Sequence, residues 1–128
     1  MIDHMGIAVS DIDRSRKFYD GALGALGMSV QRSAEAETEG GATALGYGIP
    51  GESIFWIGDQ EKVGEGTHVA FTADTRAQVD AFHAAGIKAG GRDNGPPGPR
   101  PNYGPNYYAA FLYDPDGVNI EAVCYAES

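Results

Sequence analysis

Two histidines and one glutamate carry the chemistry this sequence can do. His4 opens "HMGIAVSDIDRSRKFYDGALGALG", and His68 opens "HVAFTADTRAQVDAFHAAGIKAGG". Laid over each other, His4 falls on His68, Gly6 on Ala70, Ile7 on Phe71 and Phe18 on Phe82, all at one offset of 64 positions. Glu121 sits inside "FLYDPDGVNIEAV", in the second of two apolar runs joined by an Asp-Pro-Asp-Gly turn. Read as a strand, Val118–Val123 alternates, so Glu121 shares a face with Asn119 and Val123. Each residue alone has a plain reading, as a polar strand end or a solvent-facing acid. The conjunction is harder to dismiss. Two neutral imidazoles and one carboxylate satisfy a divalent transition metal (Zn, Ni, Co, Mn or Fe) and leave coordination positions open.

The elements that must position these groups follow from patterning. In the strand at 2–10, Met5, Ile7 and Val9 form a large apolar face, while His4, Gly6 and Ala8 form a face of small residues. The strand at 68–73 repeats this, with Val69, Phe71 and Ala73 inward and His68, Ala70 and Thr72 on the second face. Small neighbours leave room for a ligand beside each histidine. A helix follows each strand. Asp11 or Asp13 caps the first, with Phe18 and Leu23 inward; Asp74 or Thr75 caps the second, with Val79, Phe82 and Ile87 inward. Strands then return at Met28–Ser33, "ALGYGI" and "SIFWIG" in the first half. In the second half they return weakly near Ile87–Gly91, then at "YYAAFLY" and "VNIEAV". Pro50-Gly51 and Pro115-Asp116-Gly117 mark hairpins.

The order is therefore βαβββ twice, about 1–60 and about 66–128, joined by a hinge at Asp59–Gly66. The expected class is α+β: two modules forming an incomplete, cavity-enclosing mixed sheet barrel, within one domain spanning 1–128.

Composition bounds the partners. A net charge of -9 argues against nucleic acid and an anionic membrane surface, both of which attract basic patches. The acids Glu35, Glu37 and Glu39 read as a solvated loop. No apolar run approaches a membrane span. A strand-like pattern from residue 2 leaves no room for a secretory signal. The one cysteine, Cys124, follows the inward parity of Val118, Ile120 and Ala122, as a buried thiol would. Together these point to a cytoplasmic setting.

The sequence resembles the vicinal oxygen chelate superfamily, which includes glyoxalase I, extradiol dioxygenases, fosfomycin-resistance enzymes and bleomycin-resistance proteins. The resemblance covers nearly the whole chain and rests on "HMGIAVSDIDRSRKFYDGALGALGM", "GTHVAFTAD" and "DPDGVNIEAV". It implies that His4, His68 and Glu121 are metal ligands. It also implies a homodimer with shared active sites, with His4 from one chain and His68 with Glu121 from the other. In glyoxalase-type members the last strand of the first module supplies a fourth ligand; here that position holds Trp56, which cannot ligate. The parity of Phe55 and Ile57 puts Trp56 on the cavity face, where its ring could stack on a planar substrate.

"AGGRDNGPPGPRPNYGPNYY" (Ala89–Tyr108) reads as a long proline-stiffened loop at the pocket mouth. As a substrate wall, Arg100 would meet an anionic group, Tyr103 would reach the mouth, and Tyr108 would face the cavity as a catalytic hydrogen-bond donor or acid/base beside Glu121; a dimer contact or a rigid surface loop is the equal alternative. Phe111 would be core. His83 packs on its helix, away from the pocket. The function expected from all this is a metal-dependent enzyme of glyoxalase-like (lyase/isomerase) type acting on a small oxygenated molecule held through vicinal oxygens. The alternatives are an extradiol-type ring-cleaving dioxygenase and a bleomycin-resistance-like small-molecule binding protein.

Overall fold

Asp11 and Thr75 start the two helices. In the computed structural model, which describes residues 3–35, 42–60, 62–64 and 67–127, the Asp11 carboxylate accepts from the Arg14 backbone N–H ahead of α1 (Ile12–Gly24). Thr75 forms a reciprocal capping box with Gln78 ahead of α2 (Arg76–Lys88). Each helix follows a short strand, β1 (Met5–Ala8) or β5 (His68–Thr72). Three strands follow each helix: β2 (Ser29–Glu35), β3 (Ala42–Gly48) and β4 (Phe55–Gly58), then β6 (Arg92–Pro99), β7 (Tyr108–Tyr113) and β8 (Asn119–Cys124). The expected βαβββ repeat is present. Glu37 and Glu39 lie outside the described residues, as do Glu61, Glu65 and Gly66 of the hinge.

Two four-stranded sheets result, ordered β1-β4-β3-β2 and β5-β8-β7-β6. In each, the first strand runs parallel to the last and all other pairs are antiparallel. The sheets are mixed and do not close, so the α+β class and the incomplete barrel stand. Each sheet turns one face to the helices. Val9, Phe18, Leu23, Leu45, Tyr47, Phe55 and Ile57 are buried there, as are Val79, Phe82, Leu112, Ile120 and Cys124. One apolar core runs through both modules.

Several contacts join the modules. α1 packs on α2 where Gly21 leaves no room for a side chain: a Cβ there would come 2.8 Å from the Ala89 Cβ at the end of α2. Phe55 meets Phe71 edge-on at 5.0 Å. The turn of the β7–β8 hairpin anchors to the start of module 1. Tyr19 Oη donates to Asp114 Oδ2 at 2.8 Å, the Ser10 N–H donates to Asp116 Oδ2 at 2.9 Å, and Arg14 Nη2 meets Asp116 Oδ1 at 3.1 Å.

Two expectations about module 2 need correction. Ile87 does not point inward; it is exposed near the end of α2, and the weak strand expected near Ile87–Gly91 begins only at Arg92, after the turn Ala89–Gly91. Ala89–Tyr108 is not all loop either, because β6 occupies Arg92–Pro99. Pro96, Pro97 and Pro99 are tolerated there because β6 is an edge strand, with register shifts flanking Gly95. Ala89–Gly91 and Arg100–Tyr107 are the irregular parts.

Candidate functional site

On the open face of the second sheet, His68 and Glu121 lie side by side on the paired strands β5 and β8. His68 Nδ1 lies 3.0 Å from the Asn119 carbonyl oxygen. A carbonyl only accepts, so Nδ1 carries the proton and Nε2 turns to Glu121. Nε2 and Glu121 Oε1 are 2.9 Å apart. The Tyr107 hydroxyl donates a short hydrogen bond to Glu121 Oε2. Tyr107 packs edge-on against Tyr103 and Tyr125, at 5.3 and 5.4 Å. Under this cover Glu121 is only 2% exposed, so it does not point to solvent. Burial, then the contact with Glu121, pushes the Tyr107 phenol well above its ordinary value, so it keeps its proton.

This pair suits a metal ion. Two ligands each ~2.1 Å from one ion, about a right angle apart, would sit ~3.0 Å from each other, close to the observed separation. Two lone-pair-bearing atoms at this distance need a positive charge between them, either a proton or a cation. The Asn119 carbonyl holds the imidazole in the orientation a ligand requires, as outer partners of metal-bound histidines do.

The first sheet presents the matching face differently. Trp56 stands opposite Gly6, as Glu121 stands opposite Ala70, so the strand register makes the two positions equivalent in the repeat. Phe55 and Ile57 are buried and Trp56 is half-buried on the open face, as their alternation indicated. Trp56 and His4 line one cleft of about 680 Å³. His4 Nδ1 lies 2.7 Å from Asp3 Oδ1.

His4 is therefore on one sheet, and His68 with Glu121 on the other. Among the described residues, no three His, Cys, Asp or Glu side chains gather to hold a metal ion. His68 and Glu121 are adjacent, and His4 lies apart from them.

Two residues fall on opposite faces from those expected. Tyr108 does not face the cavity. Its hydroxyl donates to Asp80 Oδ1 on α2 at 2.7 Å, and Arg76 lies 4.8 Å from its ring centroid. Phe111 is not core. It opposes Glu121 across the hairpin and its ring stacks on His68 at 6.3 Å. The reason is the turn. Asp114 N bonds to Val118 O at 2.9 Å around a three-residue loop, Pro115–Gly117, with Gly117 at φ 88°. An odd loop pairs even-numbered residues with even-numbered ones. Tyr108, Ala110 and Leu112 thus share the helix-facing side of Ile120 and Ala122, and Tyr107 takes the place given to Tyr108. The signal for Tyr107 was present, since counting outward from a three-residue loop leads to it.

Arg100 and Tyr103 lie on the segment that follows β6. With Asn94, Gly95, Phe111 and Asn119 they line a hollow of about 290 Å³ beside His68. Arg100 Nη2 donates to the Pro96 carbonyl at 2.7 Å, and its guanidinium lies over Phe111 at 5.5 Å. His83 pairs with Asp93 at 2.8 Å, apart from this site. The two tyrosines give a direct comparison. Tyr107→Phe should weaken divalent-metal binding about tenfold, the usual scale for loss of an outer partner, whereas Tyr108→Phe should leave it within about twofold. Calorimetric titration of both variants measures the difference.

The model of the Glyoxalase/Bleomycin resistance protein/Dioxygenase superfamily matches residues 1–122. A glyoxalase/bleomycin resistance protein from Albidiferax ferrireducens T118 is 34% identical, with a TM-score of 0.76 over 97% of this chain and 98% of that one. Glyoxalase I from Zea mays matches at 23% identity and TM-score 0.73; 98% of this chain spans 46% of that longer one. A glyoxalase/bleomycin resistance protein/dioxygenase family enzyme from Burkholderia phytofirmans PsJN has the same fold at 20% identity and TM-score 0.67, over 97% of this chain and 98% of that one. The search of curated proteins returns no match. No helix among the described residues is long and apolar enough to cross a membrane. From the matched length and the 34% identical relative, the chain belongs to the glyoxalase/bleomycin resistance protein/dioxygenase superfamily.

Proposed function

We propose that the protein is a metal-dependent enzyme of lyase or isomerase type acting on a small oxygenated molecule, and that it works as a homodimer. The reading rests on one observation: a histidine Nε2 and a buried carboxylate oxygen 2.9 Å apart, each held from behind by a second group. His68 and Glu121 of one copy would bind a divalent ion together with His4 of a second copy. The ion would supply Lewis-acid polarisation of two neighbouring substrate oxygens.

The chain's own residues do the rest. Tyr107 holds a proton at its Oη, 14 residues from the glutamate it serves, and fixes Oε2. The tyrosine cluster keeps water from the carboxylate, while the His68 side chain stays 42% exposed. Trp56, at the position equivalent to Glu121, adds a wall and no ligand. The site therefore keeps open positions and lacks the extra carboxylate of the glyoxalase pattern. That same absence favours a second reading, a protein that binds its small molecule without turning it over.

A mixing experiment tests the shared site. In His4→Ala and Glu121→Gln homodimers every site lacks a ligand. If sites are shared, a heterodimer of the two places both defects in one site and leaves the other whole. We expect about one tightly bound metal ion per mixed dimer and almost none in either homodimer. No recovery in the mixed dimer would return the ligands to one chain or end the three-ligand reading.

A further inference from the structure

The first sheet carries a row of residues that a metal site does not require. Arg32 on β2 opposes Gly46 on β3, Gly46 opposes Trp56 on β4, and Trp56 opposes Gly6 on β1. Directly opposed residues project to one face of a sheet. The equivalent row of the second sheet reads Gly95, Phe111, Glu121, Ala70. Where one sheet has a carboxylate beside an aromatic ring, the other has an indole, a bare glycine and a guanidinium.

The glycine sets the geometry. A Cβ on Gly46 would come 2.8 Å from two atoms of the indole, so the ring lies across the β3 backbone toward β2. On this face the cleft of about 680 Å³ is lined by Trp56, Arg32, Ser53 and Gly6, with His4 and Asp3 at one side. Asp3 is the acid of this cleft, and its carboxylate is turned to His4 at 2.7 Å. Arg32 forms no ion pair with a described residue. The Ser53 hydroxyl has no hydrogen-bond partner among them either. Indole faces take flat rings, and a guanidinium fork takes a planar carboxylate through paired N–H donors.

We propose that this row is a binding slot for a planar ring that bears an oxyanion, an aromatic or conjugated carboxylate being the simplest case. The ring stacks on Trp56, and the oxyanion meets Arg32. As the substrate class of the metal site this rests on the function proposed above; as a binding slot it stands on the first sheet alone.

The experiment uses that independence. Trp56 is the single tryptophan in the chain, so its indole N–H gives one unambiguous nuclear magnetic resonance signal. Chelator-treated protein is titrated with 4-nitrobenzoate, its neutral analogue 4-nitrobenzamide, and the non-planar cyclohexanecarboxylate. We expect 4-nitrobenzoate to shift the indole signal and to bind about fivefold tighter than the amide, the scale of an exposed charge pair. Cyclohexanecarboxylate should bind several-fold more weakly than 4-nitrobenzoate. Arg32→Met, on an exposed edge-strand position, should bind acid and amide alike. An indole signal unmoved by 4-nitrobenzoate up to its solubility limit would overturn the proposal, as would an undiminished preference for the acid in Arg32→Met. Because no metal is present, neither failure bears on His68 and Glu121, and failure of metal binding would leave this titration unchanged.

Discussion

Glu121→Gln is expected to abolish retention of a divalent metal ion while leaving the fold intact. Glutamine keeps the shape and can still accept from Tyr107, so the buried position stays filled. It removes the negative charge and the anionic donor beside His68 Nε2. Loss of an outer partner already costs about ten- to a hundredfold in affinity, so loss of a ligand should exceed about a hundredfold. Elemental analysis and titration of the variant with zinc, nickel, cobalt, manganese and iron measure this directly. Circular dichroism checks that the fold is unchanged. If the variant folds and keeps wild-type affinity for every ion tried, Glu121 is not a ligand, and its burial against Tyr107 is structural.

Asp114→Ala is expected to produce the largest loss of stability. This carboxylate is 1% exposed and accepts from three donors: Tyr19 Oη, Asp116 N and Val118 N, each at 2.8 Å. Alanine orphans the hydroxyl of Tyr19, itself fully buried, and frees the turn that anchors module 2 to α1. Unpaired buried donors cost ~1–3 kcal/mol each, so the variant should lose about 3–5 kcal/mol and unfold about 10–20 °C lower. Thermal unfolding followed by calorimetry checks this. A melting point within about 2 °C of wild type would mean that the turn holds without its carboxylate.

The same carboxylate has a pH signature. Burial raises its pKa above the ordinary 3.8, against the pull of its hydrogen bonds. The folded state thus prefers the protonated form. The stability this confers is full below 3.8 and is lost as pH rises through the raised value. Relative to Asp114→Asn, which cannot ionise, wild type should lose stability with rising pH across that window and run parallel above it.

The repeat was legible because alternation and helix periodicity depend on residue type alone. His4 and His68 marked equivalent strand starts, and Phe18 and Phe82 marked equivalent helix faces. Glu121 and Trp56 were placed on open faces because their neighbours are apolar at every second position. The chain was harder to read wherever one residue of loop length decides a whole strand. Counting the β7–β8 loop differently by one residue exchanges Tyr107 for Tyr108 and moves Phe111 from the site to the core. β6 was hidden for another reason. Its three prolines and two glycines suit no strand by propensity, and only its place at the sheet edge makes them acceptable. The separation of His4 from His68 and Glu121 lies beyond local pattern altogether, since it depends on how two similar modules sit side by side.

Those prolines also govern how the folded protein meets other chains. An exposed strand edge is a template on which further strands can assemble, the first step of fibril growth. Pro96, Pro97 and Pro99 offer no N–H, so the outer edge of β6 cannot extend a hydrogen-bonded ladder along its length. Growth of the second sheet by strand addition is blocked at its β6 border. The module that holds His68 and Glu121 can therefore present an open face to a second copy without inviting edge-to-edge polymerisation through β6.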